Sequence, residues 1–522
     1  MPEHLSPQDI RQLSELGISP PEAARQLELL LNPPPCIRLE RPCRLGDGIR
    51  RLEAQQYPEL EGLFEQARMR GRLSRLVPAS GAASRMFKTL LPFLADDSEP
   101  GRRELQRRAE RGGTSAADLL KLVDHLERFA FYSSLERAMQ QRGVELRAAR
   151  DREAYVEICK HLLTGAGMDC AALPKALIEF HHYPDGARSA LEEQLVEAAG
   201  CGLDARGVCR THFTIPAGWQ DRFEAEVHRI QIRHRERLAV DFQVSFSSQD
   251  RSSDTLAVGL DNQPFRLDDG TLLLRPGGHG ALITNLDTLR EDIVFIKNID
   301  NILPDRLKQT PIRWKKLLCG HLLALERCIH GWIDDLQNGD VPEALLDRGL
   351  AFVGEQLFIP AAPALRSAPA RRKRQFLLER LRRPLRVCGV VPNRGEPGGG
   401  PFWVENAYGD LSLQIVEQSQ IDPTSPEQQA IWAAATHFNP TDMVCSVRDR
   451  HGRPYDLQRY VDPRAVFIAR KSHQGRELKT LERPGLWNGA MAHWNTVFVE
   501  IPDETFAPVK TVFDLLRPEH QN

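Results

Sequence analysis

The chain lacks the patterns that most directly announce a location or a resident metal. None of its 522 residues fall in an apolar run approaching the roughly 18 that a membrane-spanning helix needs, so no membrane span is expected. The opening Met1-Pro-Glu-His-Leu-Ser-Pro has no basic stretch followed by an apolar one. It does not read as a signal peptide, and the expected compartment is the cytoplasm. The ten cysteines are scattered, with no Cys-x-x-Cys pair and no Cys/His spacing of the zinc type. Buried or reduced thiols are expected. The formal charge of −2 supplies no overall field for nucleic acid or an acidic membrane, and neither is an expected partner. Nucleophile elbow, metalloprotease His pair, Walker loop, heptad seam and fixed-period repeat are all missing.

What is present is a globular composition, 41% hydrophobic and 27% charged, long enough for roughly two to four domains. The stretch Arg75–Lys88 reads as an apolar strand, a loop of small residues around Gly81, and a basic segment (Arg85, Met86, Phe87, Lys88) opening a helix. Backbone N–H groups in such a loop approach a phosphate closely, and a helix N-terminus favours negative charge. An ordinary strand-to-helix turn would use the same small residues for packing.

Residues 1–72 are expected to be helical. A nucleotidyltransferase-like α/β core over 73–516 is expected to carry helical insertions at about 96–168 and 305–384 and an irregular one at about 437–480. Within the core, strand-like runs at 207–215, 238–246 and 292–297 alternate with helical ones at 189–199, 217–233 and 281–289. That alternation predicts a mostly parallel sheet with helices on both faces. Two basic segments, Arg102–Arg111 and Ala370–Arg383, read as exposed helix faces; the second holds a single aromatic, Phe376, not the interleaved set of a nucleic-acid patch.

Several loops that follow expected strands carry Gly, Asn, Asp, His or Lys, at 79–88, 175–183, 247–254, 275–280, 298–301 and 508–510. In an open α/β sheet ligands bind beyond the carboxyl ends of strands, so these loops are candidates to converge. Lysines and backbone donors suit a polyphosphate, and an Asp just past a strand suits Mg²⁺. Singly, each has a plainer reading: Lys175 and Lys510 as solvated lysines, His279 as a turn partner, Asp300 as a cap.

Together they form a pattern. Pro276-Gly-Gly-His-Gly280 followed by Phe295-Ile-Lys-Asn-Ile-Asp-Asn301 resembles the uridylyltransferase family that makes UDP-sugars, the UDP-sugar pyrophosphorylases. Pro174-Lys-Ala-Leu-Ile-Glu179, Ile415-Val-Glu-Gln418 and Pro508-Val-Lys-Thr-Val-Phe-Asp-Leu-Leu516 are similar to further elements of that family, in the same order. More closely, nearly end to end, the chain resembles a group of bacterial proteins of similar length that share a GT-A-like, Rossmann-like nucleotidyltransferase fold. The first loop departs from the family's Gly-Gly-x-Gly-Thr-Arg-Leu, with Ser80, Gly81, Ala82, Ala83, Ser84, Arg85 and Met86 in its place. The family's Pro-Lys element follows its loop closely, whereas here a helical insertion intervenes, and Lys88 offers a nearer positive charge.

The resemblance implies a Mg²⁺-dependent nucleotidyltransferase joining an NTP, UTP favoured, to a sugar 1-phosphate, with release of pyrophosphate. It implies catalytic roles for Arg85, Lys175 and Lys510 and a metal-holding role for Asp300. Nucleotide and sugar contacts would come from Ser80, Gly81, Ala82, Ala83, Ser84, Lys88, Gln249, Gly278, His279, Gly280 and Asn298. A catalytically silent sugar-nucleotide binder on the same fold is the alternative. A dinucleotide-dependent dehydrogenase would need a Gly-x-Gly-x-x-Gly loop that Arg75–Lys88 does not have.

Overall fold

The computed structural model describes residues 5–95, 98–337, 341–395, 398–406 and 409–521. Residues 1–4 of the expected N-terminal region, Asp96 and Asp97 at the start of the first expected insertion, and 338–340 in the second lie outside that range. The chain divides into two compact units. One comprises residues 1–76, 247–296 and 314–503; the other comprises 77–246, 297–313 and 504–522.

The first unit is built on strands in the order Arg44–Leu45, Gly48–Arg50, Asn495–Glu500, Leu385–Pro392, His437–Ser446, Ile293–Lys297 and Leu73–Pro78. Leu385 is registered with Asn495, Phe498 with Ile49 and Ile293 with Leu73 in parallel pairs, whereas Leu385 meets Ser446 antiparallel. The sheet is therefore mixed and mostly parallel, as expected. Its strands are apolar along their length, as strands covered on both faces must be: all five residues of Ile293–Lys297 are buried. A smaller antiparallel sheet joins Leu274–Arg275, Thr255–Gly259, Arg476–Glu482 and Phe467–His473. The N-terminal helices Pro7–Glu15 and Pro20–Leu31 cover it through Leu13, Leu27 and Leu30, which share a core with Leu256, Val258 and Leu481. The long helix Gln309–Gln337 passes so close to the helix Tyr57–Met69 that a Cβ at Gly320 would meet the Leu60 carbonyl oxygen. Gly320→Ala is expected to destabilise this unit by about 1–3 kcal/mol. Urea unfolding followed by tryptophan fluorescence checks this.

The second unit holds the neighbouring strands Val208–Ile215 and Asp241–Ser248, the hairpin Glu179–Tyr183/Gly186–Ser189, and the helices Ala190–Gly202 and Gln220–Leu238. Five further helices lie between Arg102 and Leu163. Leu105, Leu119, Leu122, Leu135 and Leu162 pack with Phe87 and Leu90 from the small-residue loop and with Val509 and Val512 from the C-terminal segment. The basic face of the helix Arg102–Glu110 is partly neutralised, Arg102 by Asp124 and Arg107 and Arg108 by Glu104. In the first unit, Lys373 of the helix Ala370–Leu381 is paired with Glu343 and Asp347.

Three expectations are corrected. The segment after the small-residue loop is no α-helix: a 3₁₀ turn at Ala83–Arg85 gives way to turns and a second 3₁₀ turn at Leu91–Leu94. Pro92 has no N–H to continue an α-helix, and Met86, Phe87 and Leu90 are instead drawn into the core. The N-terminal region contains strands at Arg38–Pro42, Arg44–Leu45 and Gly48–Arg50 besides its helices. The stretch expected to be irregular at 437–480 contains the strands His437–Ser446 and Phe467–His473 and most of Arg476–Glu482. Phe467–His473 is half-exposed or exposed throughout, so it carries no apolar alternation to betray it.

Candidate functional site

Four segments far apart in sequence meet inside the second unit, and backbone hydrogen bonds join them. The Lys175 N–H donates to the Gly81 carbonyl at 2.9 Å, and the Ala83 N–H to that of Leu173 at 2.9 Å. These bonds tie the small-residue loop to the Pro174-Lys175 element. The Val509 N–H donates to the Asp300 carbonyl at 3.0 Å, and the Val512 N–H to that of Met86 at 3.0 Å. The Pro508–Lys510 segment thus spans from the Asn-Ile-Asp-Asn turn back to the loop. The Asn301 side chain locks the same junction by accepting from the Ala507 N–H at 3.1 Å. The side chain of Gln194, on the buried helix Ala190–Gly202, donates to the Asn298 carbonyl at 2.9 Å.

At the centre stands Asp300, 9% exposed. Its Oδ2 accepts from Lys175 Nζ at 3.0 Å and from Lys510 Nζ at 3.1 Å. Its Oδ1 is buried and meets no donor among the described residues. Burial alone would push the Asp300 carboxyl up, but Lys175 and then Lys510 hold it below the usual carboxylate range. Burial pulls the Lys175 ammonium below its ordinary value, with Lys510 adding to the effect and Asp300 opposing it. Two cations on one carboxylate leave a local surplus of positive charge. Lys510 is the more exposed member of the pair, its side chain 49% exposed against 12% for Lys175. The Lys510 backbone is fixed all the same, since the Asp514 side chain accepts from the N–H groups of Lys510 and Thr511.

Beside this cluster, Ser80, Gly81 and Ala82 are exposed, and their N–H groups donate to no acceptor among the described residues. Three successive free donors next to surplus positive charge suit an anion with several oxygens. A Cβ at Gly81 would meet nothing within 4 Å, so no protein atom there demands glycine. Ala83 is buried and anchors the loop, Ser84 is half-buried, and Arg85 and Lys88 are exposed.

The other sequence-derived residues, Gln249, Gly278, His279 and Gly280, belong to the first unit and cluster among themselves. Gln249 Nε2 donates to the Gly278 carbonyl at 2.7 Å. His279 lies against Trp487 with ring centroids 4.4 Å apart, and its Nδ1 accepts the Leu486 N–H at 3.2 Å. That bond places the imidazole proton on Nε2, and burial lowers the group's pKa in the same sense. A Cβ at Gly280 would stand 2.5 Å from the Pro484 carbonyl oxygen, so close backbone packing suffices to require this glycine. Glu417, from the Ile-Val-Glu-Gln element, lines a pocket of about 510 Å³ in this unit with Trp432 and His437.

Sequence reasoning assigned no role to Asp514, Gln194 or Asn301. For Asp514 a signal was available, since Thr511-Val-Phe-Asp514 has the spacing of a capping box, which the structure forms.

The sequence profile of a family described as "Domain of unknown function (DUF4301)" matches residues 6–521. The chain belongs to this family. No curated protein matches the chain. Among solved structures, this DUF4301 chain is similar to the uridine diphosphate N-acetylglucosamine pyrophosphorylase of Trypanosoma brucei, with a TM-score of 0.46 and 13% identity over 99% of this chain and 80% of that one. It is similar to a UDP-glucose pyrophosphorylase mutant of Leishmania major solved with UDP-glucose, with a TM-score of 0.43 and 11% identity over 98% and 79%. A third similarity is to a UDP-N-acetylglucosamine pyrophosphorylase described for Entamoeba histolytica, with a TM-score of 0.37 and 10% identity over 88% and 83%. Among the described residues of this DUF4301 member, no helix is long and apolar enough to cross a membrane, and no three His, Cys, Asp or Glu side chains gather as a metal cage. No disulfide joins any of the ten cysteines, eight of which are buried.

Proposed function

We propose that this chain is a nucleotidyltransferase that condenses an NTP, UTP by preference, with a sugar 1-phosphate to give an NDP-sugar and pyrophosphate. The observation that carries this reading is the cluster of Lys175, Asp300 and Lys510 beside the free N–H groups of Ser80–Ala82. The order of sequence elements resembling the UDP-sugar uridylyltransferases supports it.

The chemistry suits a site without a general base. An oxygen of the sugar 1-phosphate is anionic near neutral pH and attacks the α-phosphorus of the NTP. The bond from that phosphorus to the oxygen bridging it to the β-phosphorus breaks, and pyrophosphate leaves with the electron pair. Alignment and charge neutralisation then carry the rate. The Ser80–Ala82 N–H groups bind phosphate oxygens of the nucleotide, with exposed Arg85 and Lys88 within the same segment. Lys175 and Lys510 exchange the Asp300 carboxylate for phosphate oxygens and neutralise the sugar phosphate and the α-phosphate. Asp300 fits Mg²⁺ as a single carboxylate ligand, because Oδ1 lacks a donor while Oδ2 serves the lysines. A bound Mg²⁺ would supply further neutralisation of the phosphates.

The test is incubation of the purified chain with NTPs and sugar 1-phosphates in Mg²⁺, reading pyrophosphate release. Turnover with at least one pair is expected. Inactivity across a broad panel, with an NDP-sugar still bound, would instead establish a silent binder. A second expectation concerns pH. Phosphate binding needs the charged form of Lys175, whose pKa lies below the ordinary lysine value. Pyrophosphate affinity should therefore fall as pH rises through a value lower than that of a free lysine, and Lys175→Arg should move that fall to higher pH. Calorimetric titrations from neutral to alkaline pH check both.

A further inference from the structure

A second cavity, of about 870 Å³, lies wholly within the first unit and contains none of the residues placed in the proposed site. Its wall includes Asn495 and Thr496 at the start of the strand Asn495–Glu500. Arg383, two residues before the parallel strand Leu385–Pro392, also lines it. The cavity therefore sits at the amino ends of these strands, whereas reacting ligands of open α/β sheets gather at the carboxyl ends. Its volume falls in the range of small-molecule pockets.

Two guanidinium groups face it from the end of the helix Ala370–Leu381. Arg383 makes no hydrogen bond or ion pair with any described residue, although it is half-buried. Burial, and then the neighbouring Arg380, pull its pKa down to about 10. Arg380 stands over the Phe376 ring, 5.2 Å from its centroid. Its Nε is buried without a partner, and its nearest carboxylate, the exposed Asp410, is 3.9 Å away. Glu379, Glu405, Asp410 and Asp462 also line the cavity, but among the described residues none comes within hydrogen-bonding distance of either guanidinium, and a half-buried pair of like charges without such a partner is costly unless an anion completes it. The wall also holds unfinished polar groups. Asn488, Trp494 and Asn495 are 3%, 4% and 2% exposed, and the Asn488 Oδ1, Trp494 Nε1 and Asn495 Oδ1 find no partner among the described residues. Buried polar atoms are normally satisfied. The Nδ2 groups of the two asparagines are committed, Asn488 to Gln420 Oε1 at 2.9 Å and Asn495 to the Arg380 carbonyl at 2.9 Å, which leaves the Oδ1 atoms as unmet acceptors.

We propose that this cavity is a binding site for a small phosphate monoester of a hydroxylated carbon skeleton, with Arg380 and Arg383 taking the phosphate and Asn488, Trp494 and Asn495 taking the hydroxyls. Paired guanidinium forks match the several oxygens of a dianion better than any other side chain. The amide oxygens and the indole N–H complete the set with an acceptor and donor pattern that hydroxyls satisfy.

The test uses the full chain carrying Lys510→Ala, which weakens phosphate binding at the proposed catalytic cluster and leaves this cavity untouched. Calorimetric titration with glucose 6-phosphate, glycerol 3-phosphate, inorganic phosphate and glucose is expected to show one-to-one binding of the two monoesters, each tighter than phosphate or glucose. Arg383→Gln added to that chain should weaken the monoesters about tenfold or more. If Arg383→Gln fails to fold, Arg380→Gln carries the same comparison. The proposal is overturned if neither monoester binds at millimolar concentration or if both arginine variants bind as before. Equal affinity for inorganic phosphate and the monoesters would also overturn it, since the hydroxyl contacts would then be absent.

Discussion

Lys510→Ala is expected to lower the rate of pyrophosphate release by about 10²–10³-fold, the usual effect of deleting one well-placed electrostatic donor. The loss should appear in kcat more than in KM if the ammonium strengthens its contact as charge shifts toward the leaving pyrophosphate. Lys510 is the cleanest probe in the cluster. Its side chain is about half-exposed, and Asp300 keeps Lys175 when it is gone. Its backbone position is set by the Asp514 carboxylate and not by its own ammonium. The thermal midpoint of the variant should therefore match the parent, and circular dichroism should be unchanged. Lys175→Ala is a poorer instrument, because it removes a buried partner of a buried carboxylate and confounds activity with folding. Near-parental turnover in Lys510→Ala would remove this lysine from the reaction.

Glu193→Ala is expected to cost the second unit about 3–5 kcal/mol, the range for breaking a buried ion pair from one side. Glu193 is fully buried on the helix Ala190–Gly202. Its Oε1 accepts from the Tyr183 hydroxyl at 2.7 Å and bonds His181 Nδ1 at 2.8 Å, and its Oε2 takes the Lys308 ammonium. Lys308 is also held by Asp305 at 2.9 Å, and Asp305 in turn by Arg188 at 2.9 Å. Removing the Glu193 carboxylate takes this acceptor from the Tyr183 hydroxyl and His181 Nδ1 and leaves Lys308 with Asp305 alone, in a place water does not reach. Glu193→Gln keeps one acceptor oxygen and should cost less. Burial by itself would raise the Glu193 carboxyl, but Lys308 and His181 hold it below its ordinary value. The stability it contributes is therefore complete above the ordinary glutamate value and is lost as pH falls through the lowered folded value. Urea midpoints measured from neutral to acid pH, with unchanged slope, check the magnitude and the sign together. A midpoint for Glu193→Ala within experimental scatter of the parent would show that the network contributes no net stability.

This network also shows where sequence reading stops. The stretch 189–199 reads in the sequence only as a helix. Glu192, Glu193 and Glu197 are in fact fully buried, because their partners arrive from His181, Arg229, Arg233, His234, Lys297 and Lys308. No local window contains those partners. The strand Ile293–Lys297 was legible because five buried residues in a row leave a continuous apolar trace. The strand Arg38–Pro42 was not, since only Leu39 and Pro42 are buried and the rest is polar. The segment after Gly81 misleads for another reason. Met86, Phe87 and Leu90 have helical spacing but are buried from the turns between two 3₁₀ segments, and Pro92 closes off the α-helix. Lys175, Asp300 and Lys510 were legible as a set only through their order along the chain. That they share one carboxylate oxygen had no sequence signature.

The same order has a consequence during synthesis. Asp300 and Lys510 are separated by 210 residues, and the Lys510 segment is the one that reaches back to the Asp300 carbonyl and to the small-residue loop. At ordinary rates of translation the ribosome needs roughly 10–40 s to cover such an interval. For that time the nascent chain holds the Asp300 carboxylate with at most Lys175 beside it, and the Met86 carbonyl without its partner on Val512. The second unit can close over its core only after the first unit's strands Leu385–Pro392 and Asn495–Glu500 have been made. The proposed phosphate-binding cluster is therefore among the last features to form, and a chain stalled before residue 510 would display the loop without Lys510 beside it.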